Sequence, residues 1–249
     1  MIKLVLDNVG VEFQLYQSKA RSLKRTAINA TLGGLIGVSE GSGRTAVRAL
    51  HQINLDFRAG DRVALLGHNG AGKTTLLRVL GGIYYPSTGS FTCEGRRVPL
   101  FDLGLGMDDE ASGYENILLR GLVMGSTRSE IEERTADIAN FSGLGAYLDM
   151  PIRTYSSGML IRLLFAIATS VKADILLMDE WLSAGDKDFM ESANKRLHEL
   201  VDNAHILILA SHDTALLQNI CTKAVWLEHG QVKLFGPVED VVKTYTSGG

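Results

Sequence analysis

The sequence predicts an α/β fold: a mainly parallel core sheet, an added antiparallel β subdomain and a helical insert. Three observations carry this. Short apolar runs of strand length, such as ILLM (175–178) and HILILA (205–210), alternate with segments of helical periodicity. The first hundred residues instead hold several short strand-like stretches in succession, which points to an antiparallel sheet. Glycine is frequent (27) and proline scarce (4), as tight strand-to-helix turns require.

Taken in order, residues 3–13 (KLVLDNVGVEF) alternate as a strand. Residues 16–48 change character. YQSKARSLKRTAINATL carries Lys19, Arg21, Lys24 and Arg25, with Ala20, Leu23, Ala27 and Ala30 at helical spacing, and GGLIGVSEGSG (33–43) reads as a flexible joint. Strands follow at 49–57 and 62–67 around the turn 58–61, then a helix from about Gly72 to Leu80. Residues 83–106 read as short strands, and 111–149 as helical. Within the latter, Thr127 and Glu130 have the spacing of a capping box. A helix is predicted from near Ser157, a buried strand at 173–180, a helix at 186–202, a strand at 205–213 and a helix over about 214–220. A hairpin around His229-Gly230 and a closing helix complete the chain.

Composition excludes several classes. With 25 Lys+Arg against 28 Asp+Glu the formal charge is −3, so a generally basic nucleic-acid binder is excluded and no nucleic-acid partner is expected. No apolar run approaches the roughly 20 residues that span a bilayer. The N-terminus lacks the pattern of a signal peptide. Cys93 and Cys221 are the only cysteines and form no metal-binding spacing, so a reducing cytosolic compartment is the simple reading.

The strongest local signal is Gly67-His68-Asn69-Gly70-Ala71-Gly72-Lys73-Thr74, which fits GxxxxGK[ST] between a predicted strand and helix. Glycines at 67, 70 and 72 let successive N–H groups turn inward around phosphate oxygens, and the helix N-terminus behind them favours an anion. Lys73 adds a cation for the terminal phosphates. Thr74 adds a hydroxyl for Mg²⁺. These features define a P-loop NTPase.

Asp179 and Glu180 end the buried strand ILLMDE, where Asp179 is placed to hold Mg²⁺ and Glu180 to orient or deprotonate water. Tyr155-Ser156-Ser157-Gly158-Met159 opens a second helix whose N-terminus is a further anion site; an ordinary Ser N-cap is the plainer alternative. His212 follows a strand and is placed to sense a γ phosphate. The other five histidines have no comparable setting, His68 being a variable loop position.

The ordered set GHNGAGKT, YSSGM, ILLMDE, SAGD (183–186) and SHD (211–213) resembles the nucleotide-binding subunit of ABC transporters over nearly the whole chain. YSSGM in place of the commoner LSGGQ, the segment LFDLGLGMDDEASGYENI (100–117) and the basic stretch at 16–48 resemble, more narrowly, the ATPase of bacterial polysaccharide exporters, which move O-antigen, capsule, teichoic acid or galactan-type glycans. The resemblance implies one ABC ATPase domain over 1–249. Within it, 16–48 is a family-type basic insertion, 49–100 and 173–236 are the ATP-binding core, and 111–172 is a helical signature subdomain. It implies ATP and Mg²⁺ as ligands, with Gly67 to Thr75 on the phosphates and Thr74 with Asp179 on the metal. Glu180 is the implied catalytic base, His212 the γ-phosphate switch, and Lys73 a catalytic cation. Ser156, Ser157 and Gly158 meet the nucleotide of the opposite subunit, and Asp186 links the two sites. Phe13 stacks on adenine, with Tyr16 as second choice.

The implied partners are a second copy of the chain and an integral membrane permease. A lipid-linked glycan is handled indirectly, at the cytoplasmic face of the inner membrane. There are departures from the family pattern. Ser157 replaces a glycine, Met159 replaces a glutamine, and the glutamine between the phosphate loop and the signature is absent, with Met107 and Asp108 near its place. Some relatives carry a C-terminal β-sandwich; a sequence stopping at Gly249 implies none. The 16–48 stretch has two readings, contact with the membrane partner or anionic headgroups, or a solvated basic helix. The competing functions are a soluble ABC-type ATPase acting on nucleic acid or ribosomes, and a P-loop kinase that would need neither YSSGM nor His212.

Overall fold

The structure, a computed structural model, describes residues 2–14, 35–38, 45–180 and 187–247. In chain order the strands and helices begin with β1 (Lys3–Gln14), β2 (Leu35–Val38), β3 (Thr45–Arg58), β4 (Arg62–Leu66), α1 (Lys73–Leu80), β5 (Thr88–Glu94) and β6 (Arg97–Pro99). Next come α2 (Gly113–Val123), α3 (Arg128–Ser142), α4 (Ser157–Thr169), β7 (Ile175–Asp179) and α5 (Lys187–Asn203). The chain closes with β8 (Ile206–Ala210), α6 (Thr214–Ile220), β9 (Lys223–Glu228), β10 (Gln231–Pro237) and α7 (Val238–Ser247). It divides into two compact units: Met1–Gly95 with Leu177–Glu180 and His205–Gly249, and Arg96–Leu176 with Trp181–Ala204.

The first unit is built on two sheets. One is four-stranded in the order β2-β3-β1-β5, with all three pairings antiparallel. In the other, β4 lies between β8 and β9, parallel to both, and β10 pairs antiparallel with β9. The parallel arrangement follows from the sequences. The four apolar residues of β4 after Arg62 and every residue of β8 are buried, as strands covered on both faces must be. Each buried Leu or Ile there contributes roughly 1.5–3 kcal/mol. Helix α1 buries Leu76, Leu77, Val79 and Leu80.

Two expectations are revised here. The glycine-rich stretch 33–43 is not wholly a joint: Leu35–Val38 form a strand paired from Leu35↔Arg48 to Val38↔Thr45. Accordingly β3 begins at Thr45, four residues before the predicted start at 49. The glycines at 33, 34, 37, 41 and 43 masked a β-branched segment that needs only one alternating partner, and TAVRAL supplies it. The basic segment predicted as helical lies, through residues 15–34, outside the described residues.

The second unit is mostly helical. Its core joins Ile117, Ile131, Ile138, Leu144, Leu148, Ile152, Leu163, Ala166 and Ile167. The predicted helical stretch 111–149 is two helices and a turn. Both start in complete capping boxes, Thr127 with Glu130 as predicted, and Ser112 with Glu115, whose S-x-x-E signature the sequence reading passed over. Phe141, Phe165 and Phe189 form an aromatic trio with centroids 5.7–6.0 Å apart, and the Arg196 guanidinium lies 4.3 Å from the Phe141 ring. The 83–106 region holds the short strands expected there, β5 and the three-residue β6, parted by the turn at Gly95-Arg96, and residues 101–106 form turns. Arg96, just before β6, accepts from the Asp174 and Ile175 amides at 3.0 Å.

Candidate functional site

The glycine loop of the first unit follows β4, and its backbone explains its sequence. Gly67, Gly70 and Gly72 have φ of 149°, 80° and 108°, where side-chain-bearing residues are strained. At Gly67 a Cβ would also lie 2.5 Å from the Leu227 carbonyl oxygen and 2.9 Å from the Ala71 Cβ. The loop is anchored from outside by the Gly230 amide, which donates to the Ala71 carbonyl at 3.0 Å. Gly72 opens α1 without any side-chain cap, so the first amides of that helix have no side-chain partner. His68, Asn69 and Gly70 are exposed, while Ala71 is buried.

Lys73 curls back over the loop. Its Nζ donates to the Gly67 carbonyl at 2.6 Å and reaches that of His68 at 3.3 Å. Burial pushes its ammonium below the usual lysine value, and the Asp179 and Glu180 carboxylates pull it back up. Thr75 follows within α1, half-buried. The Thr74 hydroxyl donates to Asp179 Oδ2 at 2.8 Å. A hydroxyl and a carboxylate oxygen in direct contact are a hard-oxygen pair, the donor type Mg²⁺ takes, so these residues fit that ion.

Asp179 ends β7, and Glu180 follows it in a left-handed conformation, φ 72°. The Glu180 amide donates to the Ala210 carbonyl at 2.8 Å, which ties the turn to the end of β8. Its carboxylate accepts from the Ser211 hydroxyl on Oε2 (3.0 Å) and from the His212 amide on Oε1 (3.2 Å). The exposed His212 ring places Nε2 at 3.9 Å from Oε1, beyond hydrogen-bond range. The first unit therefore brings Lys73, Thr74, Asp179, Glu180 and His212 together at the loop and at the C-terminal ends of two strands, the usual ligand edge of a parallel sheet.

Ser211 is the residue that sequence reasoning missed. Its signal was its place before His212 at a strand end. The His68 ring packs edge-on against His229 at 5.2 Å, and its Nδ1 lies 2.7 Å from the Asn69 carbonyl oxygen. Phe13, near the end of β1, is partly exposed and meets Tyr84 edge-on at 5.4 Å. Tyr16 and Asp186 lie outside the described residues.

Ser156, Ser157 and Gly158 belong to the second unit and are exposed. The Ser156 hydroxyl caps α4, accepting from the Met159 amide at 3.2 Å, as the N-cap reading holds. Among the described residues, only the Ser156 hydroxyl would come within 4 Å of a Cβ at position 158, at 3.9 Å. Tyr155 donates its hydroxyl to the Tyr147 carbonyl at 2.7 Å, and burial raises that phenol above its usual value. Met159 and Met107 both pack against the second unit's apolar core, which gives each methionine a packing reason. Asp108 accepts the Glu110 amide at 3.0 Å, and the buried Asn116 holds its backbone.

Comparison with known proteins identifies the family. Residues 50–183 match the protein family described as ABC transporter. The chain is 42% identical, over 232 residues, to the O-antigen export system ATP-binding protein RfbE of Yersinia enterocolitica, covering 93% of this chain and 97% of that one. It is 35% identical to the teichoic acids export ATP-binding protein TagH of Lactococcus lactis over 98% of this chain, but spans only 50% of that relative's length. A dimeric post-hydrolysis ATP-binding cassette bound to ADP and Pi shares the fold, with a TM-score of 0.66 at 17% identity over 94% of this chain and 98% of that one. A family match across more than half the sequence, joined to that degree of identity over nearly full length, means that the chain belongs to the ABC transporter family.

Proposed function

We propose that this chain is the ATP-hydrolysing subunit of an exporter that moves a lipid-linked polysaccharide across the bacterial inner membrane. The observation that carries the ATPase reading is the pairing of Thr74 with Asp179 beside a Glu180 held separately on Ser211 and His212. The export reading rests on the similarity to O-antigen and teichoic acid export ATP-binding proteins.

In this reading the loop amides from Gly67 to Thr75, with Lys73, bind the ATP phosphates. Lys73 exchanges its bonds to the Gly67 and His68 carbonyls for phosphate oxygens. Thr74 and Asp179 hold Mg²⁺, which when bound neutralises charge on the phosphate oxygens. Glu180 accepts a proton from the attacking water, and His212 reaches the γ phosphate. Phe13, or Tyr16, stacks on adenine.

Two copies clamp two ATP molecules. Each glycine loop faces the other copy's Ser156, Ser157 and Gly158. The open space at Gly158 supports this, since nothing among the described residues demands a glycine there. Hydrolysis removes the γ-phosphate contacts, and the differential affinity of ATP and ADP for the closed dimer drives a permease partner. In the second unit, exposed Leu119, Leu122 and Val123 share one face of α2, and exposed Leu105 adds to the apolar surface, which supports a docking face for that partner. Among the described residues no helix is long and apolar enough to cross a membrane; in the proposed reading the chain works at the cytoplasmic face, against its permease partner.

The test is Glu180→Gln. The variant binds ATP, loses roughly 10²–10⁴-fold in turnover and accumulates as a dimer with ATP by light scattering. Turnover equal to the parent overturns the assignment of Glu180.

A further inference from the structure

We propose that Ser211 is a positioning residue for Glu180: its hydroxyl fixes where the carboxylate sits at the end of β7. The inference rests on the reading of Glu180 as the base. Glu180 is exposed and has three rotatable side-chain bonds, so something must define its direction. The left-handed backbone and the Ala210 bond fix only its Cα. The carboxylate itself is fixed by two donors, the Ser211 hydroxyl and the His212 amide, one on each oxygen. The His212 ring, at 3.9 Å, does not hold it.

A serine hydroxyl is normally a free rotor, donating wherever an acceptor lies. Here its orientation is set. Ser211 is buried, and its oxygen accepts from the Asp213 amide at 3.2 Å. That amide can only donate, so the single hydroxyl proton is left for Glu180. Asp213 is itself the cap of α6, its side chain accepting from Ala215 and Leu216, so the chain of contacts ends in a helix terminus. Ser211 therefore relays the rigid position of β8 and α6 to a carboxylate on the neighbouring turn. Each carboxylate oxygen keeps a further lone pair for water.

The experiment uses the full chain with Mg-ATP, comparing Ser211→Ala and Ser211→Cys with the parent. Cysteine keeps the volume but donates weakly, so it preserves packing if alanine fails to fold. Both variants should melt like the parent and keep the KM for ATP within twofold, while kcat falls about tenfold, the scale of one hydrogen bond to a charged group. In single-turnover assays on the Glu180→Gln background, the added serine change should cost no further rate, since its target is already altered. Unchanged kcat in both serine variants overturns the proposal, as does an equal, further loss on the Glu180→Gln background. Parental turnover in Glu180→Gln alone overturns instead the reading on which the proposal rests.

Discussion

Asn116 is the residue whose removal the second unit should feel most. It is fully buried in α2, and its side chain makes four hydrogen bonds. Oδ1 accepts from the Asp108 amide at 2.8 Å, and Nδ2 donates to the carbonyls of Asp108, Ala111 and Ser112 at 2.9–3.1 Å. At roughly 0.5–1.5 kcal/mol net for each bond, losing all four would cost roughly 2–6 kcal/mol. The carbonyls are not all orphaned, however. Asp108 O also accepts from the Ala111 amide, Ala111 O from Ile152, and Ser112 O from the Asn116 amide. Only the Asp108 amide loses the one partner shown for it. Asn116→Ala should therefore fall in the lower part of that range, about 2–4 kcal/mol. That lowers the melting temperature by roughly 5–15 °C at this size, and faster protease cleavage should appear around 104–112. Asn116→Asp keeps the acceptor but loses both N–H donors, which three carbonyls share, and sets a buried negative charge against those carbonyls, so it should be at least as damaging. Circular-dichroism melts of both variants decide the matter. A shift under about 1 °C for Asn116→Ala, or a milder effect for Asn116→Asp, refutes the hydrogen-bond accounting.

Two further predictions concern titrating groups. Burial pushes the Cys221 thiol up to about 12, while Cys93 is part-exposed; a thiol-disulfide reagent near neutral pH should titrate one thiol quickly in the native protein, and Cys93→Ser should abolish that fast phase, because the thiolate is the reacting form. Glu115 is held below the ordinary glutamate value of 4.5 chiefly by the Ser112 amide, and Glu130 chiefly by that of Thr127. A lowered folded value means that these caps stabilise fully above the unfolded value and lose their effect as pH falls through the folded one. Melting temperature should therefore drop below pH 4.5, and less steeply when both glutamates are glutamine; identical slopes would contradict the caps.

Much of the site was legible because its local chemistry is compact. The glycine loop needs three positive-φ residues and a lysine within eight positions, and an acid pair ending an apolar run is visible without coordinates. What was not legible depended on distant pairing. Nothing near Ser211 shows that its hydroxyl meets a side chain 31 positions earlier. Nothing around His68 shows that it meets His229. Strand β2 was hidden because its partner, rather than its composition, makes it a strand. The Ser112–Glu115 box, by contrast, is local: its S-x-x-E spacing is readable from the sequence without any distant partner.

Consecutive acids at one strand end face different work for a geometric reason. Side chains alternate along a strand, so Asp179 and the residue after it leave β7 in different directions. Had the chain continued as regular strand, residue 180 would simply have pointed to the opposite face. Instead Glu180 turns left-handed, and its amide bonds the end of β8. This carries its carboxylate to Ser211 and His212, while Asp179 stays against Thr74 on the loop helix. A glutamate at φ 72° is an uncommon backbone state, persisting only when its surroundings over-determine it. Here they do, through one backbone and two carboxylate bonds. Strand alternation alone would part the two carboxylates; what the left-handed turn adds is the destination of the second, on Ser211 and His212 rather than on the open face of β7, where the proposed reading needs it.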